Sequence, residues 1–430
     1  MVFREVSARA SRAGDPAIRG HRRDGRARAQ RHRSRGGCPQ SPVVASEREF
    51  ALRCVAHARF GGAVAPDGWT LLAFLRARER GAIGRGGHGV MRVAVVTRSI
   101  DAPSHRIYRE NVVRALMAAG VDVVPMSRRG PIPSACDVVW DPGLGMRPIP
   151  PILRRSPIPV IVTFHGARIF SPFYAWRAEW IGARLYHPWL KARLLRDREW
   201  FREIVAAVIA PSAFAAREAA EVFDVPIEKV RVVPHGVDHA LFHPDGDALV
   251  RQRPYLLHIF GGNPMKNTER VLAAYAHLPA SSRPELIVIS PHDWRLLRMF
   301  QVRGVKVVRR LLPQRELARW YRGALGLVAP SLRETFGLSL LEAMACGCPV
   351  ITSTGTGCAE AVGEAALRVD PYSIEEIAGA MRRLIEDESL RQRLREQGLK
   401  HARTFNWSRS AAEHIRVFHH VLARTSAAPS

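Results

Sequence analysis

The sequence predicts an α/β protein built from two consecutive, doubly wound, Rossmann-like halves that face each other across a cleft. Three observations predict it. From Met91 onward, short runs rich in Val, Ile and Leu alternate with helical stretches. One segment rich in Gly, Pro, Asp and His, HGVDHALFHPDGDALVRQRP (235–254), divides that alternation into two series. The length of 430 residues exceeds one ordinary core.

The first series of strand runs is 92–97, 121–125, 137–140, 159–164, 206–210 and 230–234. YRENVVRALMAAG (108–120) reads as a helix closed by Gly120. The second series is 255–260, 285–290, 305–308, 325–329, 349–352 and 367–369. NTERVLAAYAHL opens a helix with Asn267 or Thr268 as its cap. Residues 374–405 read as helical, and WSRSAAEHIRVFHHVLAR (407–424) as a last helix. The expected organisation is therefore a first half over 91–250, a second over 251–405, and a C-terminal helix and tail over 406–430.

Before Met91 the composition changes. Residues 1–90 hold eighteen arginines, no lysine and seven acidic residues, which supplies +11 of the formal charge of +26. RGHRRDGRARAQRHRSRGG (19–37) repels itself and has too few apolar groups to bury a core. Met91 is read as the translational start and 1–90 as an extension. The alternative is a basic arm for nucleic acid or membrane. No recognised nucleic-acid motif accompanies the charge, and no nucleic acid is expected as a partner.

Hydrophobic content of 47% is ample for packing, and no apolar run approaches eighteen residues. The opening residues carry charge where a secretory signal would be apolar, so a cytoplasmic location is expected. The six cysteines are sparse, and Cys346, Cys348 and Cys358 lack zinc spacing and a nearby histidine, so no metal is expected. No GxGxxG follows a strand, so neither a nicotinamide nor a flavin cofactor is supported.

RETFGLSLLEAMACGCPV (333–350) concentrates the chemistry. Eight residues of helix turn through about 800°, so Glu334 and Glu342 cannot share a helical face. GLSLLEAMACG reads instead as one helix, loosened at its mouth by Gly337 and ended by Gly347 and Pro349. Glu334 then lies on the loop from the preceding strand. Ligands of such sheets bind outside the carboxyl ends of strands, and a helix mouth there suits an anion such as diphosphate.

VIAPSAFAAREAAEVFDVPIEKVRVVPHGVDHALFHP (208–244), PSLRETFGLSLLEAMACGCPVI (330–351) and GTGCAEAVGEAALRVDP (355–371) together resemble the retaining glycosyltransferases of family four, which have the GT-B fold. The resemblance runs from about Met91 to about Ala423. It implies that Glu342 accepts from the ribose hydroxyls of a nucleotide-sugar donor, that Glu334 reaches the transferred sugar, and that the Phe336–Gly337–Leu338 backbone meets the sugar and diphosphate. It implies that Lys266, in GGNPMKNTERV, is the phosphate-binding lysine, and that His165, in VTFHGARIF, lines the sugar pocket from the first half.

Two departures from the family pattern stand out. No arginine follows the 255–260 run, where the stretch is IFGGN; Arg309 and Arg310 are the nearest substitutes. The glycine-rich loop after the first strand is replaced by TRSIDAPSHRIYREN, which puts Ser104, His105 and Arg106 on the acceptor side. The expected activity is transfer of a hexose from an NDP-sugar donor to a glycan, lipid-linked or small-molecule acceptor, with retention and without a metal or other cofactor. A degenerate, non-catalytic nucleotide-sugar-binding partner is the alternative. The stretch 174–204, with four tryptophans among arginines, is expected to supply peripheral membrane contact or an acceptor docking face.

The chain shortened to begin at Met91 is expected to melt cooperatively and to keep its nucleotide affinity. Loss of the unfolding transition on shortening would show that 1–90 belongs to the fold.

Overall fold

The computed structural model describes residues 90–97, 103–144, 150–166, 188–189, 191–193, 195–196, 198–260, 263–290 and 302–426. The expected extension lies outside them except for Val90, and so does much of 174–204.

Among the described residues twelve strands form two six-stranded parallel sheets. The first holds β1 (Arg92–Thr97), β2 (Asp122–Ser127), β3 (Val138–Leu144), β4 (Val160–Phe164), β5 (Val205–Ala210) and β6 (Val230–Val232), in the order β2-β1-β3-β4-β5-β6. The second holds β7 (Tyr255–Ile259), β8 (Glu285–Ile289), β9 (Val305–Val308), β10 (Gly326–Ala329), β11 (Val350–Ser353) and β12 (Leu367–Val369), in the order β12-β11-β10-β7-β8-β9. Every strand run read from the sequence lies on a strand, with ends differing by a few residues. The runs were continuous rather than alternating because both faces of these sheets are covered: every residue of β4, β10 and β11 is buried.

Among the described residues the α-helices are α1 (Pro103–Ala118), α2 (Arg198–Ile204), α3 (Ala213–Phe223), α4 (Thr268–Ala276), α5 (Gln314–Gly323), α6 (Leu338–Ala345), α7 (Gly357–Val362), α8 (Ile374–Glu386), α9 (Glu388–Ala402) and α10 (Trp407–Ser426). Three differ from expectation. The first turn of α1 begins at Pro103, so Ser104, His105 and Arg106 are helical rather than part of a loop. The helix expected over 374–405 is two, because Asp387 takes extended backbone and its carboxylate caps α9 by accepting from Leu390 N–H at 2.8 Å. Asn267 precedes α4 but does not cap it with its side chain.

Each sheet has one point where strand order reverses: between β1 and β3 in the first, between β7 and β10 in the second. In the second sheet His258 fastens that point. Its Nδ1–H donates to the carbonyl of Val328 at 2.7 Å, and its Nε2 accepts from the Thr268 hydroxyl at 2.9 Å. Burial holds this imidazole neutral, its pKa lowered to about 4.

The last helix returns to the first half. Trp407, Ala411, Val417, Phe418 and Val421 of α10 share a core with Val93, Tyr108, Trp140 and Ile161. A buried polar chain runs through that core, and its direction is fixed at one end. Nδ1 of His414 faces the Ser410 carbonyl at 2.7 Å, which can only accept, so Nδ1 carries the proton. Nε2 therefore accepts from the Tyr108 hydroxyl at 2.7 Å. Tyr108 in turn accepts from the Thr163 hydroxyl at 3.1 Å, and Thr163 accepts from Trp140 Nε1–H at 2.9 Å. All four side chains are fully buried, so β3, β4, α1 and α10 are tied without an unmet group among them.

Removing the central hydroxyl with Tyr108→Phe strands the Thr163 donor and the His414 acceptor. The expected loss is about 1–3 kcal/mol in a urea titration. An unchanged midpoint would show that the chain adds nothing to stability.

Candidate active site

The loops that leave β7 and β10 flank the reversal point of the second sheet, and they carry Lys266 and Glu334. Their meeting is built locally. Asn263 caps the tight turn Pro264–Lys266 by accepting from Met265 N–H at 3.1 Å. Asn267 then takes the left-handed conformation, at φ 62°, which an asparagine tolerates better than most residues. Its amide is spent on tertiary contacts, donating to the carbonyls of Pro330 at 3.0 Å and Pro371 at 2.6 Å. Leu332 N–H adds a bond to the Met265 carbonyl at 2.8 Å. Two of these bonds pin the Lys266 turn against the start of the Glu334 loop, and the one to Pro371 ties it to the segment after β12. Lys266 Nζ donates to Glu334 Oε2 in a close ion pair, with both side chains about a quarter exposed.

Gly337 sits at φ 95° at the mouth of α6, where a side chain would be strained and would press on Leu340. The mouth holds Phe336 and Leu338 on either side. Helix α6 is deeply buried, with Leu340 through Ala345 all inside. Glu342 is buried with them, 9% exposed. Among the hydrogen bonds described, its carboxylate accepts only a long one, 3.5 Å from the Tyr321 hydroxyl. Burial raises its pKa from 4.5 to about 7, against the downward pull of Tyr321 and of the Lys266 charge.

His165 follows β4 in the first half. Its Nε2 donates to the Pro142 carbonyl at 2.8 Å, which fixes the tautomer. The ring stacks on His105 at 4.4 Å and meets the edge of Tyr108 at 4.7 Å. Gly166, at φ 106°, passes so near Thr335 that a Cβ would lie 2.8 Å from its methyl group. The Thr335 hydroxyl donates to the His165 carbonyl at 3.3 Å. The structure therefore brings His165, Lys266, Glu334, Phe336, Gly337 and Leu338 to one locus, with Glu342 inside the helix behind it. Of the acceptor-side trio only His105 joins it by a ring contact; Ser104 and Arg106 are exposed on the first turn of α1. Arg310 is held by both oxygens of Glu316, and Arg309 is exposed.

Several partners at this locus were not read from the sequence. Ser212 caps α3 and also donates to the Thr335 carbonyl at 2.6 Å. Glu360 of α7 accepts from the N–H groups of Ala213 and Phe214, at 2.6 and 2.7 Å, so a carboxylate of the second half covers the N-terminus of α3 in the first. Arg333 pairs with Glu218 at 2.7 Å. Only the serine cap left a sequence signal; the rest depend on backbone atoms or on long-range pairing. Among the described residues no group of three or more His, Cys, Asp or Glu is placed to hold a metal, and Cys136, Cys346, Cys348 and Cys358 are buried free thiols. No described helix is long and apolar enough to cross a membrane. In the 174–204 stretch, Trp189 is exposed beneath the Arg193 guanidinium, and the other three tryptophan side chains lie outside the description.

Residues 246–401 match the family model described as glycosyl transferases group 1, and residues 135–241 match glycosyltransferase family 4. The chain is 30% identical over 367 residues to a D-inositol 3-phosphate glycosyltransferase of Frankia alni, covering 78% of this chain and 86% of that one. Its fold is similar to that of a sucrose-phosphate synthase from Thermosynechococcus elongatus, with TM-score 0.58, 20% identity and coverage of 78% and 100%. It is similar also to an Anabaena protein solved in complex with UDP and glucose, with TM-score 0.55, 13% identity and coverage of 79% and 100%.

The raised pKa of Glu342 has a signed consequence. Between about 4.5 and about 7 the native chain holds a proton that the unfolded chain has lost, so stability falls as pH rises through that window. The fall should approach about 3 kcal/mol and vanish in Glu342→Gln. Urea midpoints at pH 5 and pH 8 check this; parallel behaviour of parent and variant would place the carboxyl at its ordinary pKa.

Proposed function

The chain belongs to the group 1 glycosyl transferases, and on that premise we propose that it transfers a hexose from a nucleotide-diphosphate sugar with retention at the anomeric carbon. The observation that carries this reading is the Lys266–Glu334 pair on the two loops at the strand reversal, beside the glycine-opened mouth of α6. The donor's diphosphate lies at that mouth, against N–H groups that have no intrahelical partner. Lys266 moves from Glu334 to the diphosphate and stabilises the charge that grows as the glycosidic bond breaks. Glu334, released, accepts from a sugar hydroxyl. Glu342 gives up its proton and accepts from the ribose hydroxyls, which makes donor binding more favourable as pH rises toward about 7. His165 lines the sugar pocket from the first half.

In a retaining reaction of this kind the acceptor hydroxyl attacks on the face from which the diphosphate leaves. Lys266 and the helix mouth provide the positive charge, so the mechanism calls on no metal ion. The acceptor, a glycan, lipid-linked or small molecule, meets the first half near Ser104, His105 and Arg106. The Frankia relative's name makes a phosphorylated inositol the first acceptor to try. Membrane contact through 174–204 is a further part of the proposal, resting on the exposed Trp189 and its arginine.

Thermal shift with UDP-, GDP- and ADP-sugars identifies the donor base. Release of nucleoside diphosphate then separates an enzyme from a non-catalytic binder, the reading favoured by the missing arginine after β7. Glu342→Ala is expected to weaken nucleoside diphosphate binding by about tenfold to a hundredfold, the worth of a charge-assisted hydrogen bond. Glu334→Ala is expected to spare that affinity and lower turnover instead. Calorimetry with the free nucleoside diphosphate checks both, and unchanged affinity in Glu342→Ala removes that residue from the ribose.

A further inference from the structure

His235 belongs to none of the roles assigned above. It lies on the segment by which the chain first leaves the first half. That segment is locked in place: a Cβ on Gly236 would collide with the backbone of Asn406 and Trp407, where the chain returns. Val237 N–H donates to the Phe405 carbonyl at 3.3 Å on the same seam. The His235 ring is therefore delivered between the halves by backbone that has little room to shift.

Its neighbours come from both sides. Tyr108 of α1 lies 4.6 Å away and His165 5.6 Å away, centroid to centroid, in the first half. Phe336, at the mouth of α6, lies 4.9 Å away in the second. Trp407 of α10 closes the contact at 6.2 Å. The ring is 5% exposed, and its Nδ1 is buried without a hydrogen-bond partner. Burial, and then the neighbouring His165 and His414, hold its pKa well below the usual histidine value, so the ring is neutral.

Packing alone does not account for an imidazole here. A phenyl ring would make the same ring contacts and bury no unmet nitrogen. We propose that His235 is a positioning residue for the transfer step: its ring sets the separation of His165 and Phe336, and its Nδ1 gains a hydrogen-bond partner in the reacting arrangement of the halves. The inference rests on the proposed function, since it acts through the two groups that line the sugar from opposite sides.

The test compares His235→Phe with His235→Asn, whose amide places a polar atom near the position of Nδ1. Each is assayed for nucleoside diphosphate release from whichever of UDP-glucose, GDP-mannose and ADP-glucose the parent turns over. His235→Phe is expected to melt at or above the parent temperature, to keep donor KM within about threefold, and to lose about tenfold or more in kcat. His235→Asn is expected to recover most of that kcat. Parental kcat in His235→Phe, equal loss in both variants, or a lower melting temperature for His235→Phe each overturns the proposal. If the parent turns over none of the three donors, the proposed function fails instead. The melting comparison then decides His235 alone: a phenylalanine variant at or above the parent upholds the unmet nitrogen, and one below it overturns the proposal.

Discussion

At Gly236 two stretches of backbone pass so closely that no side chain fits between them. One carries the chain out of the first half, and the other, at Asn406–Trp407, carries it back. Much of the architecture depends on that contact. It places the start of α10 beside the first sheet, where Trp407 and Phe418 enter a core with Tyr108 and Trp140. It sets His235 among rings from both halves. The polar chain from Trp140 through Thr163 and Tyr108 to His414 then secures α10 with directed hydrogen bonds, which fix register more tightly than apolar contact alone.

The site divides its charges by burial. One lysine stands near two carboxylates, and it cannot serve both equally. Glu334, on a loop and partly exposed, takes the ion pair. Glu342, inside α6, is left to a long contact from a buried phenol, and desolvation raises its pKa to about 7. Of two chemically identical side chains eight residues apart, one is thus held in an ion pair and the other is raised in pKa by burial. The cause is that one precedes Gly337 and the other follows it, since the glycine is where loop becomes helix.

The strands were legible in the sequence, because parallel sheets covered on both faces write themselves as continuous apolar runs. All twelve strands could be read that way, as could the glycine that opens α6 and the loop position of Glu334. What could not be read depends on atoms that every residue shares. The bonds from Asn267 to the Pro330 and Pro371 carbonyls, from Ser212 to the Thr335 carbonyl, and from Glu360 to the Ala213 and Phe214 N–H groups all end on backbone. Backbone partners leave no trace in residue type. The early start of α1 was missed for a related reason: PSHRI carries no apolar periodicity, and its helix is continued from the stretch that does. Asp387 was misread because a good helix-capping residue inside a long helical pattern looks like one more polar surface position.

The loop from Arg333 to Phe336 joins these two themes. Arg333 pairs with Glu218 of the first half, Thr335 takes the Ser212 hydroxyl on its carbonyl and offers its own hydroxyl to the His165 carbonyl, and Phe336 packs on His235. Between them Glu334 holds Lys266 of the second half. Four consecutive residues therefore carry both the charge pair of the candidate donor site and the contacts between the halves. A ligand that draws Lys266 away from Glu334 acts on the same backbone that meets Ser212 and His165. Any ligand can shift a two-state equilibrium only by the difference in its affinity for the two states. The relation is reciprocal: a state that strengthens a ligand is strengthened by it to the same degree. The charge pair and the contacts between the halves thus share one short loop, and the path from one to the other is no longer than Glu334 to Thr335.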